Sequence, residues 1–276
     1  MHPRQILDRY GVAPKQSLGQ NFLFDEGLLA RITAAADLSP GDEVLEVGPG
    51  LGALTRQLAQ AAGRIVAVEL DGRLLPILRY ELEPFANVEL VQADILSFDP
   101  ASQFDAPYVM VANVPYYITG AILRHLLESR PRPRRMVMTV QREVADRLTA
   151  APPNMSLLAV SVQYYGRVRL VGAVKAGAFW PRPEVDSAVI RVDVDERFLG
   201  GGAGEQGSGG KEAAAFFRVV RAGFGEKRKQ LKNNLRRLGL DDTAIAAALE
   251  AAGIDGRRRA ETLAVEEWKK LVEALG

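Results

Sequence analysis

An alternation constrains this chain more than any other feature. Short apolar runs recur at Glu43–Val47, Arg64–Leu70, Val88–Gln92, Tyr108–Ala112 and Met136–Val140. Segments with helical spacing lie between them: Leu54, Leu58 and Ala61; Leu74 to Leu82; Thr119 through Leu123 and Leu127. Strands alternating with helices in this way build βαβ units, hence a parallel sheet covered on both faces and an α/β fold. Ligands of such sheets bind beyond the carboxyl ends of the strands. The first four runs end at Gly48, Glu69, Asp94 and Asn113. Any one of these alone reads as a turn residue or a cap. Four on consecutive strands point to a shared pocket.

The turn after the first run is Glu46-Val47-Gly48-Pro49-Gly50-Leu51-Gly52. Glycines here let the backbone take positive φ and approach a ligand with no Cβ in the way, and the helix that follows aims free N–H groups at the same place. A dinucleotide fingerprint is G-x-G-x-x-G. Here the third glycine comes one residue early and acidic Glu46 precedes the first, which favours a nucleoside–amino-acid ligand such as S-adenosylmethionine. Glu69 lies 17 residues beyond Gly52, where an ionised carboxylate can accept from ribose hydroxyls. Asp94 can accept from an adenine amino group.

Asn113-Val114-Pro115-Tyr116 is the most informative short motif, and it suits a reaction in which a planar amino group, as on adenine, must attack a methyl sulfonium. The amino group of adenine is a poor nucleophile because its lone pair is delocalised into the ring. The Asn113 side-chain oxygen and the Pro115 carbonyl can accept its two N–H groups, favour the attacking geometry and stabilise the charge that develops. Tyr116 can stack on the base and offer its π face to that cation. In Phe179-Trp180-Pro181-Arg182-Pro183, two prolines stiffen an aromatic segment suited to the other half of a base clamp, with Phe179 as its ring.

With no cysteine and two histidines in 276 residues, disulfides, thiolate sites and His-rich sites are excluded, and no metal is expected. No apolar stretch of ~20 residues is available to span a bilayer, and the first residues lack the apolar run of a secretory leader, so a soluble cytoplasmic protein is expected. Net charge is only +1, yet within 218–237 there are eight basic residues to one acidic. A helix over Lys227–Leu238 would then present Lys227, Arg228, Lys229, Lys232, Asn233, Asn234 and Arg236 to RNA phosphates.

Residues 1–20 read as an arm, and Asp25 as the cap of a helix through Leu28, Leu29 and Ile32. Ser156–Tyr165 and Ala188–Val194 are expected as an antiparallel strand pair closing the sheet. Gly200–Gly210 holds seven glycines among eleven residues, the composition of a flexible linker. Helices are expected at Ala213–Gly223, Asp242–Ala252 and Val265–Leu275. The expected domains are 1–198, a linker at 199–210, and a small all-helical, RNA-contacting domain at 211–276.

These motifs, with Gln20-Asn21-Phe22-Leu23 and Phe224 to Leu235, resemble the KsgA/RsmA-type small-subunit ribosomal RNA adenine dimethyltransferases across nearly the whole chain. The resemblance implies a Rossmann-like S-adenosylmethionine-dependent methyltransferase domain with a small C-terminal all-helical domain. It implies dimethylation of two adjacent adenosines in the 3′-terminal hairpin of 16S ribosomal RNA, within an immature small subunit, by a monomer. The cofactor contacts it implies are Asn21, Leu23, Gly48, Gly50, Glu69, Asp94 and Asn113; the base site is Asn113, Pro115, Tyr116 and Phe179. The chain departs from the family's Asn-Leu-Pro-Tyr-Asn-Ile-Ser at Val114, Tyr117 and Thr119, and a loop of the family is reduced to Pro152–Ser156. Alternatives are a 23S ribosomal RNA adenine methyltransferase and an assembly factor acting by binding.

Overall fold

The computed structural model describes residues 2–200 and 208–276. In chain order its elements are α1 (Pro3–Tyr10), β1 (Phe22–Leu23), α2 (Glu26–Ala36), β2 (Glu43–Val47), α3 (Ala53–Ala61), β3 (Arg64–Glu69), α4 (Leu75–Glu81), β4 (Val88–Gln92), β5 (Tyr108–Asn113), α5 (Thr119–Glu128), β6 (Pro133–Gln141), α6 (Arg142–Leu148), α7 (Leu157–Gln163), β7 (Gly166–Val174), β8 (Phe179–Trp180), β9 (Ser187–Val194), α8 (Ser208–Gly223), α9 (Leu231–Leu235), α10 (Asp242–Ala251) and α11 (Val265–Leu275). The chain divides into two compact units. One comprises 1–145 and 166–203, the other 146–165 and 204–276.

The first unit is built on a seven-stranded sheet of order β4-β3-β2-β5-β6-β9-β7. β4 to β6 are parallel, while β9 runs antiparallel to both β6 and β7. The period of two along β5 puts Val109 and Val111 on one face, where they join Leu28, Leu29 and Ile32 of α2 and Leu54 and Leu58 of α3 in a continuous core. Strand order reverses between β2 and β5, so the carboxyl ends of these two neighbours border the crevice of a doubly wound fold. Gly48 and Asn113 stand there.

Residues 3–10 are a helix rather than part of an irregular arm. His2 Nδ1 accepts from the Arg4 amide at 3.2 Å, Gln5 answers from within the first turn, Pro3 starts the helix and Gly11 ends it in the left-handed region. Ile6 and Leu7 are buried beside Leu74, Leu75 and Leu78, so two apolar residues suffice to dock it.

The strand expected at Ser156–Tyr165 is helix α7. Ser156 Oγ accepts from the Ala159 amide at 3.1 Å, an N-cap ahead of a short, mostly apolar run whose period cannot distinguish helix from strand. The strand that pairs with β9 is β7, interrupted by a register shift between Leu170 and Gly172. These 20 residues, 146–165, group with the helical unit, not with the sheet.

In the helical unit, Tyr164 stacks on Phe216 with ring centroids 4.1 Å apart, and Trp268, Leu235 and Leu271 are fully buried. The helix expected over Lys227–Leu238 is shorter. Only Leu231–Leu235 is α-helical, because its first amides are taken by the 256–258 loop: Leu231 N donates to Arg258 O at 2.7 Å and Lys232 N to Gly256 O at 3.1 Å. The glycine-rich linker falls mostly on 201–207, outside the described residues; Ser208 already belongs to α8.

Candidate active site

The first unit holds a cavity at the carboxyl ends of β2 to β5. Asn21, Leu23, Gly48, Gly50, Glu69, Asp94, Asn113, Pro115, Tyr116 and Phe179, widely separated in sequence, all line it.

Its floor is the turn between β2 and α3. Gly48 and Gly50 sit at φ of +70° and +59°, a region closed to most L-residues. A Cβ on Gly50 would come 3.1 Å from Phe22, so the space that Gly50 leaves is already in use by the aromatic ring of β1. The Gly50 amide donates to Glu69 Oε2 at 3.2 Å, and the Asp71 amide to Oε1 at 2.8 Å. Glu69 thus ties the glycine turn to the end of β3 and keeps lone pairs on both oxygens for further donors. Burial pushes its pKa up, opposed by these amides.

Glu46 lines the same cavity and is 1% exposed, with an Oε2 that has no hydrogen-bond partner among the described residues. Burial raises its pKa to about 8; Thr55 opposes the rise and the Glu69 charge adds to it. The acidic residue before the first glycine was visible in sequence; its raised pKa was not, because that depends first on the burial the finished fold imposes.

Asp71 anchors the rim. It accepts from Gln20 Nε2 at 2.8 Å and from Arg73 at 2.6 Å, and these partners hold it at about 2, against the effect of burial. The Gln20 bond fastens the segment carrying Asn21 to the end of β3, a link between residues 51 apart that the sequence did not show. Asp94 Oδ1 accepts from the Leu96 amide at 2.9 Å, and the residue is exposed. Exposed Leu70 and buried Ile95 add apolar wall between the two carboxylates, a feature missed from sequence.

At the end of β5, Asn113 Nδ2 lies 3.5 Å from the Asn21 carbonyl, and its Oδ1 accepts no hydrogen bond among the described residues. The Pro115 carbonyl already accepts from the Ile118 amide at 3.3 Å, leaving one lone pair. Tyr116 is half-buried, its hydroxyl 2.6 Å from Ser187 Oγ, and burial raises its pKa. Phe179 pairs with Leu23 between β1 and β8 and is 3% exposed, packed in the core. The open clamp expected of it gives way to a buried ring that packs in the core and borders the cavity.

In the helical unit, Lys227, Arg228 and Lys232 are exposed, and the first two make no ion pair among the described residues. Lys229 pairs with Glu226 at 2.9 Å and Arg236 with Asp242 at 2.7 Å. Asn233 is half-buried. Asn234 is corrected from a phosphate contact to a structural residue: it is 2% exposed and donates to Gly223 O at 2.6 Å and Glu226 O at 3.0 Å, holding the loop that precedes α9.

Residues 12–276 match the family described as ribosomal RNA adenine dimethylase. The chain is 45% identical, over 97% of its length and 90% of the relative's, to a ribosomal RNA small subunit methyltransferase A of Dehalococcoides mccartyi. It is 43% identical, over 99% and 94%, to the protein of that name from Geobacillus kaustophilus. Among solved structures, the 23S rRNA methyltransferase ErmE is similar with a TM-score of 0.73 and 33% identity, covering 92% of this chain and 99% of that one. A dimethyladenosine transferase from Plasmodium falciparum shares the fold, with a TM-score of 0.76 at 24% identity over 91% and 95%. With the family matched along nearly its whole length and a pocket built at the carboxyl ends of a doubly wound sheet, the chain belongs to the ribosomal RNA adenine dimethylases.

Proposed function

We propose that this protein transfers methyl groups from S-adenosylmethionine to the exocyclic amino groups of two adjacent adenosines in the 3′-terminal hairpin of 16S ribosomal RNA, on an immature small subunit. It would do so as a cytoplasmic monomer. One observation carries the proposal: Asn113, with an unused carboxamide oxygen, lines the same cavity as the glycine turn and the Glu69 carboxylate. The relatives named for the small subunit favour 16S over 23S ribosomal RNA as substrate.

The pocket fits the cofactor. Its glycine turn lines the cavity at positive φ, Glu69 keeps lone pairs for a ribose diol, and Leu70 and Ile95 offer apolar surface to a purine with Asp94 at its edge. Glu46 presents an unpartnered oxygen where an ammonium group can be met. Asn21 and Leu23 border the same space. When bound, S-adenosylmethionine supplies a methyl group on a sulfonium centre. The chain's part is to hold the amine in line for it: Asn113 Oδ1 and the remaining lone pair of Pro115 O accept the two N–H groups, and these acceptors strengthen as positive charge develops on nitrogen. Tyr116, fixed by Ser187, offers a ring face to the base. No strong base is required, since the nitrogen's proton becomes acidic on alkylation. Lys227, Arg228 and Lys232, exposed in the helical unit, meet RNA phosphates.

Asn113→Ala is expected to lower single-turnover methylation of small subunits on the order of 10²–10³-fold at saturating cofactor, by analogy with loss of one oriented donor in an oxyanion hole. RNA affinity should change far less. Equal losses in rate and affinity would make Asn113 a docking residue and remove the proposed chemistry.

A further inference from the structure

Two consecutive tyrosines at the cavity are held in opposite ways. Tyr116 is half-buried and tied to Ser187 at 2.6 Å. Tyr117 lines the same cavity yet is 68% exposed, and its hydroxyl makes no hydrogen bond among the described residues. Its ring lies beside Gly19, where a Cβ would stand 3.6 Å from Cε1 and 2.9 Å from Pro115 Cβ. The glycine at 19 therefore keeps the space next to Pro115 and the tyrosine clear.

Single apolar side chains on a surface are common and need no function. Position separates Tyr117 from that background. It is an exposed aromatic ring two residues beyond Pro115, in a pocket whose other rings, Phe22, Phe24, Tyr116 and Phe179, are all buried or half-buried. Every nucleobase has a π face, so an open ring beside an RNA-modifying site is a stacking platform. The target base cannot be its occupant, because the target amine must reach Asn113 inside the cavity while Tyr117 stands largely in solvent. We propose that Tyr117 stacks on the nucleobase flanking the target adenine, and so positions the second adenosine while the first is methylated.

This inference rests on the methyl-transfer function proposed above, and the test keeps the two apart. Small subunits are reconstituted with ribosomal RNA in which the flanking adenosine is either intact or replaced by an abasic residue. Wild type, Tyr117→Ala and Tyr117→Phe are compared for subunit affinity, for S-adenosylmethionine affinity and, on intact RNA, for the ratio of singly to doubly modified hairpins by mass. Stacking predicts that Tyr117→Ala binds intact subunits about 5- to 100-fold more weakly than wild type and accumulates hairpins modified on one adenosine. Tyr117→Phe, which keeps the ring, should match wild type, and cofactor affinity should be the same in all three. On abasic subunits wild type and Tyr117→Ala should bind alike. An equal loss on intact and abasic subunits, or no loss on either, would overturn the stacking proposal. A wild-type protein that modified neither adenosine would instead overturn the methyl-transfer proposal.

Discussion

Glu46 is the residue at which burial and charge conflict most. Its ordinary pKa of 4.5 is raised to about 8 in the fold, so between those values the folded state holds a proton that the unfolded chain has released. Stability from this group is fully present below pH 4.5 and is lost as pH rises towards 8, by about 1.4 kcal/mol per pH unit across that window. Glu69, also raised, acts in the same direction. Glu46→Gln keeps the shape and cannot ionise. Thermal melts at about pH 5 and about pH 8 are expected to show wild type losing stability relative to the variant at the higher pH; an identical difference at both would mean that Glu46 stays charged. At this scale the sequence was legible where a polar residue ends an apolar run, as at Glu69, Asp94 and Asn113. It was not legible where an environment is assembled from distant segments. The raised pKa of Glu46 and the buried Phe179 are of that kind.

Among the elements, α2 shows how a helix end is settled by the sheet beneath it. Asp25 caps its start, accepting from the Leu28 amide at 2.7 Å, and that cap could be read from sequence. At the other end Asp37 takes φ of +52°, and the orphan carbonyls are met by two arginines from the sheet. Arg135 of β6 donates to Ala36 O at 2.8 Å and Arg191 of β9 to Ala35 O at 2.9 Å, while both hold Asp193. Arg191 is almost fully buried, so Arg191→Met would strand a carbonyl and weaken the hold on Asp193. A loss of roughly 2–3 kcal/mol is expected in urea unfolding, with the midpoint shifted and the slope kept. A loss under ~0.5 kcal/mol would show that water caps α2 as well as Arg191 does. Such staples join residues 156 apart, beyond any local pattern. Local ambiguity explains the other misses: α7 is a short, mostly apolar run, and β7 has its alternation broken at Leu170 to Gly172.

For the molecule as a whole, the late concentration of basic charge was visible in composition, although the helix expected to display it starts only at Leu231 and leaves 227–230 as a turn. Of the basic residues expected at the interface all are exposed, and ion pairs to Glu226 and Asp242 engage Lys229 and Arg236, which leaves Lys227, Arg228 and Lys232. Replacing all three with Gln is expected to weaken RNA binding and reduce its logarithmic salt slope by about 0.7–0.9 for each phosphate no longer neutralised, with S-adenosylmethionine affinity retained. Binding measured from low to moderate salt checks this, and an unchanged slope would return these residues to ordinary solvated surface. The strand order has a consequence for how the protein comes into being. β2 and β5 are neighbours, but the chain must pass through β3 and β4 before they meet, and Leu23 waits for Phe179 to arrive. No short stretch of the polypeptide contains the pocket in miniature. During synthesis it cannot close until Trp180 has left the ribosome, so a ligand of this cavity stabilises only the finished domain and gives no help to the shorter chains that precede it.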